Sequence, residues 1–372
     1  MDKLEARYEE LYKEHAIENG MGDVTRFQSP EEYRKYLSET KGIDIDPNDK
    51  LVREFEEHLK RKDKPSPEEL ISRMVLPPFK REWQKKHGTT YPKVLFKQWP
   101  RLNQNAHLYV FEEGGIVVFD TALFHFLFAS AGLVVRSRAF LDVYFKNGGI
   151  DITPVENEQV IPAFITMIQE IINEGRVSEE LVMKYSIFPH EGGMSEISGR
   201  LTANMMAFII AHELAHLHLS HKPINNKQGT LRDSFLASMY SQGQEMEADE
   251  FALDMLMDKD RIIVEETTFG ELKNSNEDLY ERMVSFQYMG IMLFFDLLSW
   301  RHGIQWNEIE RRTGKKLDAY YFSHPTNEMR LLNLIEEKMF KKHPWIQGTA
   351  NINGVLRVFK EQVIAQYPEY YK

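Results

Sequence analysis

Apolar positions recur at helical spacing along most of this chain and give way in one short stretch to runs of β-branched and aromatic residues. Residues 2–62 are dense in Glu, Lys and Arg, with sparse apolar positions such as Leu51, Phe55 and Leu59, which predicts two or three amphipathic helices. Asp46, Pro47 and Asn48 make a turn before the last of these, and residues 62–67 (KDKPSP) read as a linker. Ser66-Pro67-Glu68-Glu69 then opens a helix, with Pro at the first helical position. Residues 107–120, HLYVFEEGGIVVFD, place β-branched and aromatic residues on either side of residues 112–115, a hairpin whose Gly supplies the positive φ of the turn. Helical patterns follow from Thr121, over 161–174, over 201–221 and again from Leu231, with a polar loop at 222–230. The fold class expected is mainly α (α+β): a helical core, a small antiparallel β-sheet or hairpin and an N-terminal helical segment. The expected division is 1–66, 67–345 and a tail at 346–372.

A length of 372 residues with 42% apolar content is enough for a sizeable core. The formal net charge of −11 argues against a nucleic-acid-binding face, which needs clustered Lys and Arg. The basic stretches at 60–64 and 80–86 are interrupted by Asp63 and Glu82 and read as solvated faces. With no cysteine, disulfides and thiolate metal sites are excluded, which fits a reducing compartment. The N-terminus, MDKLEARYEELYKEH, has no apolar core of a secretory signal. Apolar stretches at 121–135, 205–210 and 290–298 are each shorter than the roughly 20 residues of a spanning helix. A cytoplasmic protein without a transmembrane segment is expected.

The chemistry concentrates in LTANMMAFIIAHELAHLHLSH, residues 201–221, where His212, Glu213 and His216 form H-E-x-x-H. Residues four apart on a helix lie one above the other, so both imidazoles can share one metal ion, and Glu213 stands beside it, placed to take a proton from water. The surrounding residues are apolar, and a divalent cation is the partner that satisfies buried His and Glu together. The bland alternative is a helix whose polar face happens to carry the motif. A two-His zinc site needs a third protein ligand. In the next helix, SQGQEMEADEFALDMLM, Glu245 and Asp249 share one face, and a Glu from a following helix is a standard third ligand, against the reading of a solvated acidic face. His221 competes, but the HExxHxxGxxH arrangement would need Gly and His where Leu219 and Lys222 stand. His218 points off the metal-binding face and reads as a packing residue. Farther on, Pro325 fixes the backbone after His324, and Arg330 lies in a new helical pattern; by itself a His-Pro in a loop reads as structural.

HELAH at residues 212–216, EMEAD at 245–249 and SHPTNEMR at 323–330, in that order, resemble the gluzincin metalloproteases related to HtpX and the CAAX prenyl protease. The likeness spans about residues 105–334, with Asn105-Ala106 and residues 114–118 similar to the Asn-Ala strand segment of those enzymes. It implies a zincin-like core and a Zn2+ site of His212, His216 and Glu245. Glu213 is then catalytic base, Asp249 orients a ligand imidazole, and His324 and Arg330 line the site near the developing oxyanion. Those relatives are largely membrane proteins, unlike this chain. Two soluble groups are similar in part: the phage-exclusion Lit peptidases, and the ImmA/IrrE regulators, whose E-x-E-A-N/D-x-F-A is close to residues 245–252.

The function expected is a zinc endopeptidase acting on a cellular protein or peptide, with an extended substrate pairing on a strand edge of the hairpin. The N-terminal helices are a candidate lid or partner-sensing element. The rival is a non-catalytic zinc scaffold that binds a partner. Retention of Glu213 and the absence of an evident fourth ligand count against it. A metal-dependent hydrolase acting on another substrate is a third option.

Overall fold

The computed structural model describes residues 3–18, 67–99, 106–136, 194–221, 231–267, 280–281, 283–299 and 326–339, with isolated positions elsewhere. The helices expected within residues 19–62, the linker, the loop ahead of the H-E-x-x-H helix and nearly all of the tail lie outside them. Of the helix expected over 161–174, Pro162, Thr166 and Met167 are described, and all three are helical. The architecture is mainly helical with one small sheet. Its order is α1 (Lys3–Glu18), α2 (Pro67–His87), β1 (Lys93–Trp99), β2 (Ala106–Phe111), β3 (Gly114–Asp120), α3 (Thr121–Arg136), α4 (Met194–His218) and α5 (Leu231–Thr267). Helix α6 (283–299) and α7 (Asn327–Leu334) follow, and α7 runs into a π-helical turn at Ile335–Met339.

The hairpin forms where the two runs of β-branched and aromatic residues predict it, with β2 and β3 antiparallel and Leu108 opposite Val117. Its turn falls at Glu112 and Glu113, and Gly114 follows with φ 143°. A Cβ at Gly114 would stand 2.0 Å from the Lys93 carbonyl oxygen, so this position needs Gly for its backbone angle and for the close approach of β1. Strand β1 was not expected. It pairs parallel to β3, making a three-stranded sheet of order β1-β3-β2. Strand β3 is therefore central and apolar on both sides, as its unbroken GGIVVFD run requires. Val117 and Phe119 face the main core, while Ile116 and Val118 face α1, which closes the other side with Leu4 and Tyr8. Lys97 of β1 pins α1 by an ion pair to Glu5 at 2.9 Å and by lying 5.0 Å from the Tyr8 ring centroid. The described part of the N-terminal segment thus covers the sheet face turned away from α4.

From Leu201 on, helix α4 buries apolar residues on every side: Leu201, Met205, Met206, Phe208, Ile209, Ile210, Leu214 and Leu217 are all buried. Such a helix is stable only when surrounded. Helices α2, α3 and α5 and strands β2 and β3 all pack on it. Leu217 reaches the sheet at Gly115, where a Cβ would stand 3.1 Å from the leucine side chain. Helix α6 approaches α4 through Gly290, whose position leaves 2.7 Å between a would-be Cβ and the Asn204 Cβ. Gln287, one turn earlier, donates to the Asn204 carbonyl at 3.1 Å, and Phe294 and Phe295 meet Phe208.

Helix α4 ends without a glycine. Ser220 takes the left-handed conformation (φ 57°), its N–H bonds the Leu217 carbonyl, and the His221 N–H reaches back to the His216 carbonyl at 3.0 Å. This pair of bonds is a Schellman cap, and it turns His221 back over the last helical turn. Among the described residues no helix is long and apolar enough to cross a membrane.

The close approach at Gly290 makes a specific prediction. Gly290→Ala should force α6 away from α4 and destabilise the protein by about 1–3 kcal/mol, as overpacking of a filled interface does. Urea unfolding measures it, and an unchanged midpoint would mean that α6 is not held at this distance.

Candidate metal centre

Helix α5 carries Glu245, Ala248, Asp249, Ala252, Leu253 and Leu256 on one buried stripe with the spacing of a single helix face. Two acids on an apolar stripe need partners, because an unpaired buried carboxylate is costly. Both find them on α4 and α7. The Glu245 carboxylate lies 3.3 Å from His212 Nε2 and 3.5 Å from His216 Nε2, and the two imidazole nitrogens are 3.1 Å apart. Among the described residues this is the one group of three or more His, Asp or Glu side chains able to hold a metal ion.

The donor set and spacing fit zinc. A tetrahedral ion with bonds of roughly 2.0–2.1 Å keeps its ligand atoms about 3.3–3.4 Å apart. The three separations bracket that value. His212 offers Nε2 because its other nitrogen is taken: Nδ1 lies 2.8 Å from Asp249 Oδ1. Metal-ligating histidines are characteristically held in this way.

Asp249 is completely buried and is also gripped by Arg330 of α7, whose Nη2 stands 3.4 Å from the His212 Nδ1 that shares Asp249 Oδ1. The guanidinium forks onto it, Nε donating to Oδ2 and Nη2 to Oδ1, each at 2.6 Å. Arg330 Nη1 also lies 3.6 Å from Glu245 Oε2, and the guanidinium carbon sits 5.2 Å from the Phe295 ring centroid. Thr326 caps α7 by accepting from the Met329 N–H, which fixes the first turn that carries Arg330. The arginine named by the SHPTNEMR motif therefore lies against Asp249 and Glu245. His324 of the same motif falls outside the described residues.

Electrostatics follow from these contacts. Burial would raise the Asp249 carboxyl, but Arg330 and His212 hold it below the usual carboxylate range. Burial would likewise lower His212, yet Asp249 and Glu245 outweigh it and raise the imidazole to about 10. His216 goes the other way, down to about 3, through burial and the neighbouring charge on His212. Glu213 is pushed up by burial and by Glu245, offset in part by His212, Arg330 and a hydrogen bond from the Leu108 backbone N–H. That last bond brings the outer edge of β2 against Glu213.

One feature escaped the sequence reading. His221, rejected as a ligand on spacing, lies with Nδ1 2.8 Å from His216 Nδ1 and with Nε2 3.2 Å from Glu247 Oε2. No motif signals it, because the Schellman turn that brings it there lacks the usual Gly. His218, read as a packing residue, sits in an aromatic enclosure of Phe79, Trp83, Tyr91 and Phe251, stacked on Phe251 at 4.4 Å.

The fold and site together describe a mainly helical protein with a His–His–Glu cluster beside a strand edge. The family model for Peptidase U49 matches residues 146–348, more than half of the chain. The chain belongs to this family of Lit-type peptidases, a metallopeptidase family. The matched stretch contains His212, Glu213, His216, Glu245, Asp249 and Arg330. No curated protein and no solved structure matches the chain.

Asp249 and Arg330 form a buried pair, so breaking it leaves a charge stranded. Asp249→Ala should cost about 3–5 kcal/mol in denaturant unfolding, with part of the loss recovered in the Asp249→Ala/Arg330→Met double variant. A loss below about 1 kcal/mol would show that α7 is held to α5 by other contacts.

Proposed function

We propose that this peptidase is a zinc endopeptidase of the gluzincin type, with His212, His216 and Glu245 as metal ligands and Glu213 as general base. The observation that carries the proposal is the triangle of two Nε2 atoms and one carboxylate at 3.1, 3.3 and 3.5 Å, buried beside Glu213. The ordered HELAH, EMEAD and SHPTNEMR motifs support kinship with the enzymes related to HtpX. In this reading the peptidase unit is 67–345, because the sheet that borders Glu213 precedes the stretch matched by the family model.

When bound, zinc supplies Lewis acidity, making a water more acidic and polarising the scissile carbonyl. The remaining work falls to the chain. Glu213 is not a ligand. Its carboxylate, raised by burial, accepts a proton from water and can hand it to the leaving amine. Asp249 accepts from His212 Nδ1–H and keeps Nε2 bare for the metal, while Arg330 holds Asp249 in place. Arg330 thus acts through Asp249, and His324 remains the residue proposed for the oxyanion. Among the described residues no further strand pairs with β2, whose edge meets Glu213 at Leu108. An extended peptide laid along β2 would bring its carbonyls past the base, with backbone pairing giving affinity and side-chain pockets selectivity.

Glu213→Gln separates an enzyme from a binding scaffold. The amide is nearly isosteric yet cannot accept the proton, so peptide cleavage should fall to background while zinc and fold are kept. Product mass spectrometry on a proteome digest reads the cleavage and metal analysis reads the zinc. Cleavage undiminished in this variant would favour the scaffold reading.

Metal uptake has its own signature. In the metal-free protein His212, raised to about 10, holds a proton at neutral pH, and His216, lowered to about 3, does not. Zinc must displace that proton, so binding should release about one proton and strengthen about tenfold per pH unit below the His212 value. Calorimetry in buffers of different ionisation enthalpy measures the release. A pH-independent affinity would contradict the ligand set, as would Glu245→Ala binding zinc like the unmutated chain.

A further inference from the structure

We infer that His221 and Glu247 form a relay that positions His216, a role deepening and resting on the metal reading above. The inference starts from two like nitrogens. His216 Nδ1 and His221 Nδ1 stand 2.8 Å apart, a hydrogen-bond distance at which one must carry the proton and the other must accept it. His216 faces the His212–Glu245 triangle with Nε2, so a His216 that ligates there must be bare at Nε2 and protonated at Nδ1. His221 then accepts at Nδ1 and carries its own proton on Nε2. That nitrogen faces Glu247 Oε2 at 3.2 Å, an acceptor where the chain of tautomers requires one.

The geometry also excludes His221 as a ligand of the same ion. It contacts the side of the His216 ring opposite Nε2, so it cannot reach the point where the three proposed ligand atoms converge. What it does is complementary to Asp249. Asp249 holds Nδ1 of His212, and His221 holds Nδ1 of His216, so each proposed imidazole ligand is oriented by a partner on its far side. The two partners differ. Asp249 is sealed in the core by Arg330, whereas His221 ends in a carboxylate exposed on α5.

The local backbone explains how a residue five positions on can do this. In a Schellman cap the residue after the left-handed position bonds back to the residue five before it, and their side chains meet. Here those residues are His221 and His216, with Ser220 in the left-handed position just before His221. The relay also joins the end of α4 to α5 at Glu247, two residues from Glu245.

The test uses the full chain and zinc as the probe. Competitive chelator titration should show His221→Ala binding zinc about 10–100-fold more weakly. His221→Asn places an oxygen near the Nδ1 position and should restore most of the affinity, as a purely steric role would not require. Glu247→Ala, at an exposed position, should weaken zinc in the same direction without threatening the fold. Long-range 1H–15N spectra of the zinc-loaded, unmutated chain should show His221 protonated at Nε2 and His216 at Nδ1. The opposite tautomer of His221, or zinc affinity unchanged in His221→Ala, would overturn the relay while leaving the metal site standing. An unmutated chain that binds no zinc overturns both, and that outcome is distinguished at the first titration.

Discussion

The pairing of two buried acids is the constraint on which the rest of this structure depends. Glu245 and Asp249 lie on the stripe that α5 presses against α4, among Ala248, Ala252 and Leu253, where a lone carboxylate would be strongly unfavourable. Their partners come from two other helices: His212 and His216 on α4, and Arg330 on α7. Packing and electrostatics are therefore not separable here. The small residues Ala248 and Ala252 allow α5 to approach closely, and the acids specify the register at which it does so.

Around that interface the other elements act as supports. Helix α6 comes close to α4 through Gly290 and presents Phe295 to the Arg330 guanidinium. Helix α7 is started by the Thr326 cap and delivers Arg330 within its first turn. The sheet is wedged between α1 and α4, so its central strand is apolar on both faces and β2 is left on the side of Glu213. Each support limits one degree of freedom of a group at the site, the condition for holding polar groups at fixed geometry in a low-dielectric interior.

The membership in Peptidase U49 and the cluster reinforce each other on different grounds. The family comes from the pattern of the chain over residues 146–348, whereas the cluster comes from side-chain distances. They meet at the same residues, although the sheet that borders Glu213 precedes the matched stretch. In the reading proposed above, a peptide laid along that sheet would be held by an edge that lies outside the matched stretch.

What could be read from the sequence was what depends on local periodicity. His212 and His216 face the same way because a helix repeats every 3.6 residues, and Glu245 and Asp249 share a face for the same reason. The β2–β3 hairpin was visible in two runs of β-branched and aromatic residues separated by Glu112 to Gly115. Tertiary structure alone decided the rest. Strand β1 joins the sheet through parallel pairing with β3, skipping β2, which comes between them in sequence, and no local pattern in KVLFKQW announces this. Helix α1 covers the far side of the sheet because Leu4 and Tyr8 meet Ile116 and Val118, more than 100 residues on. Arg330 could be named from its motif, yet its fork onto Asp249 requires α7 to fold across α5. His221 was set aside because its spacing matched no known ligand pattern. Its contact with His216 arises from a left-handed Ser220, a backbone state that residue type does not encode when Gly is absent.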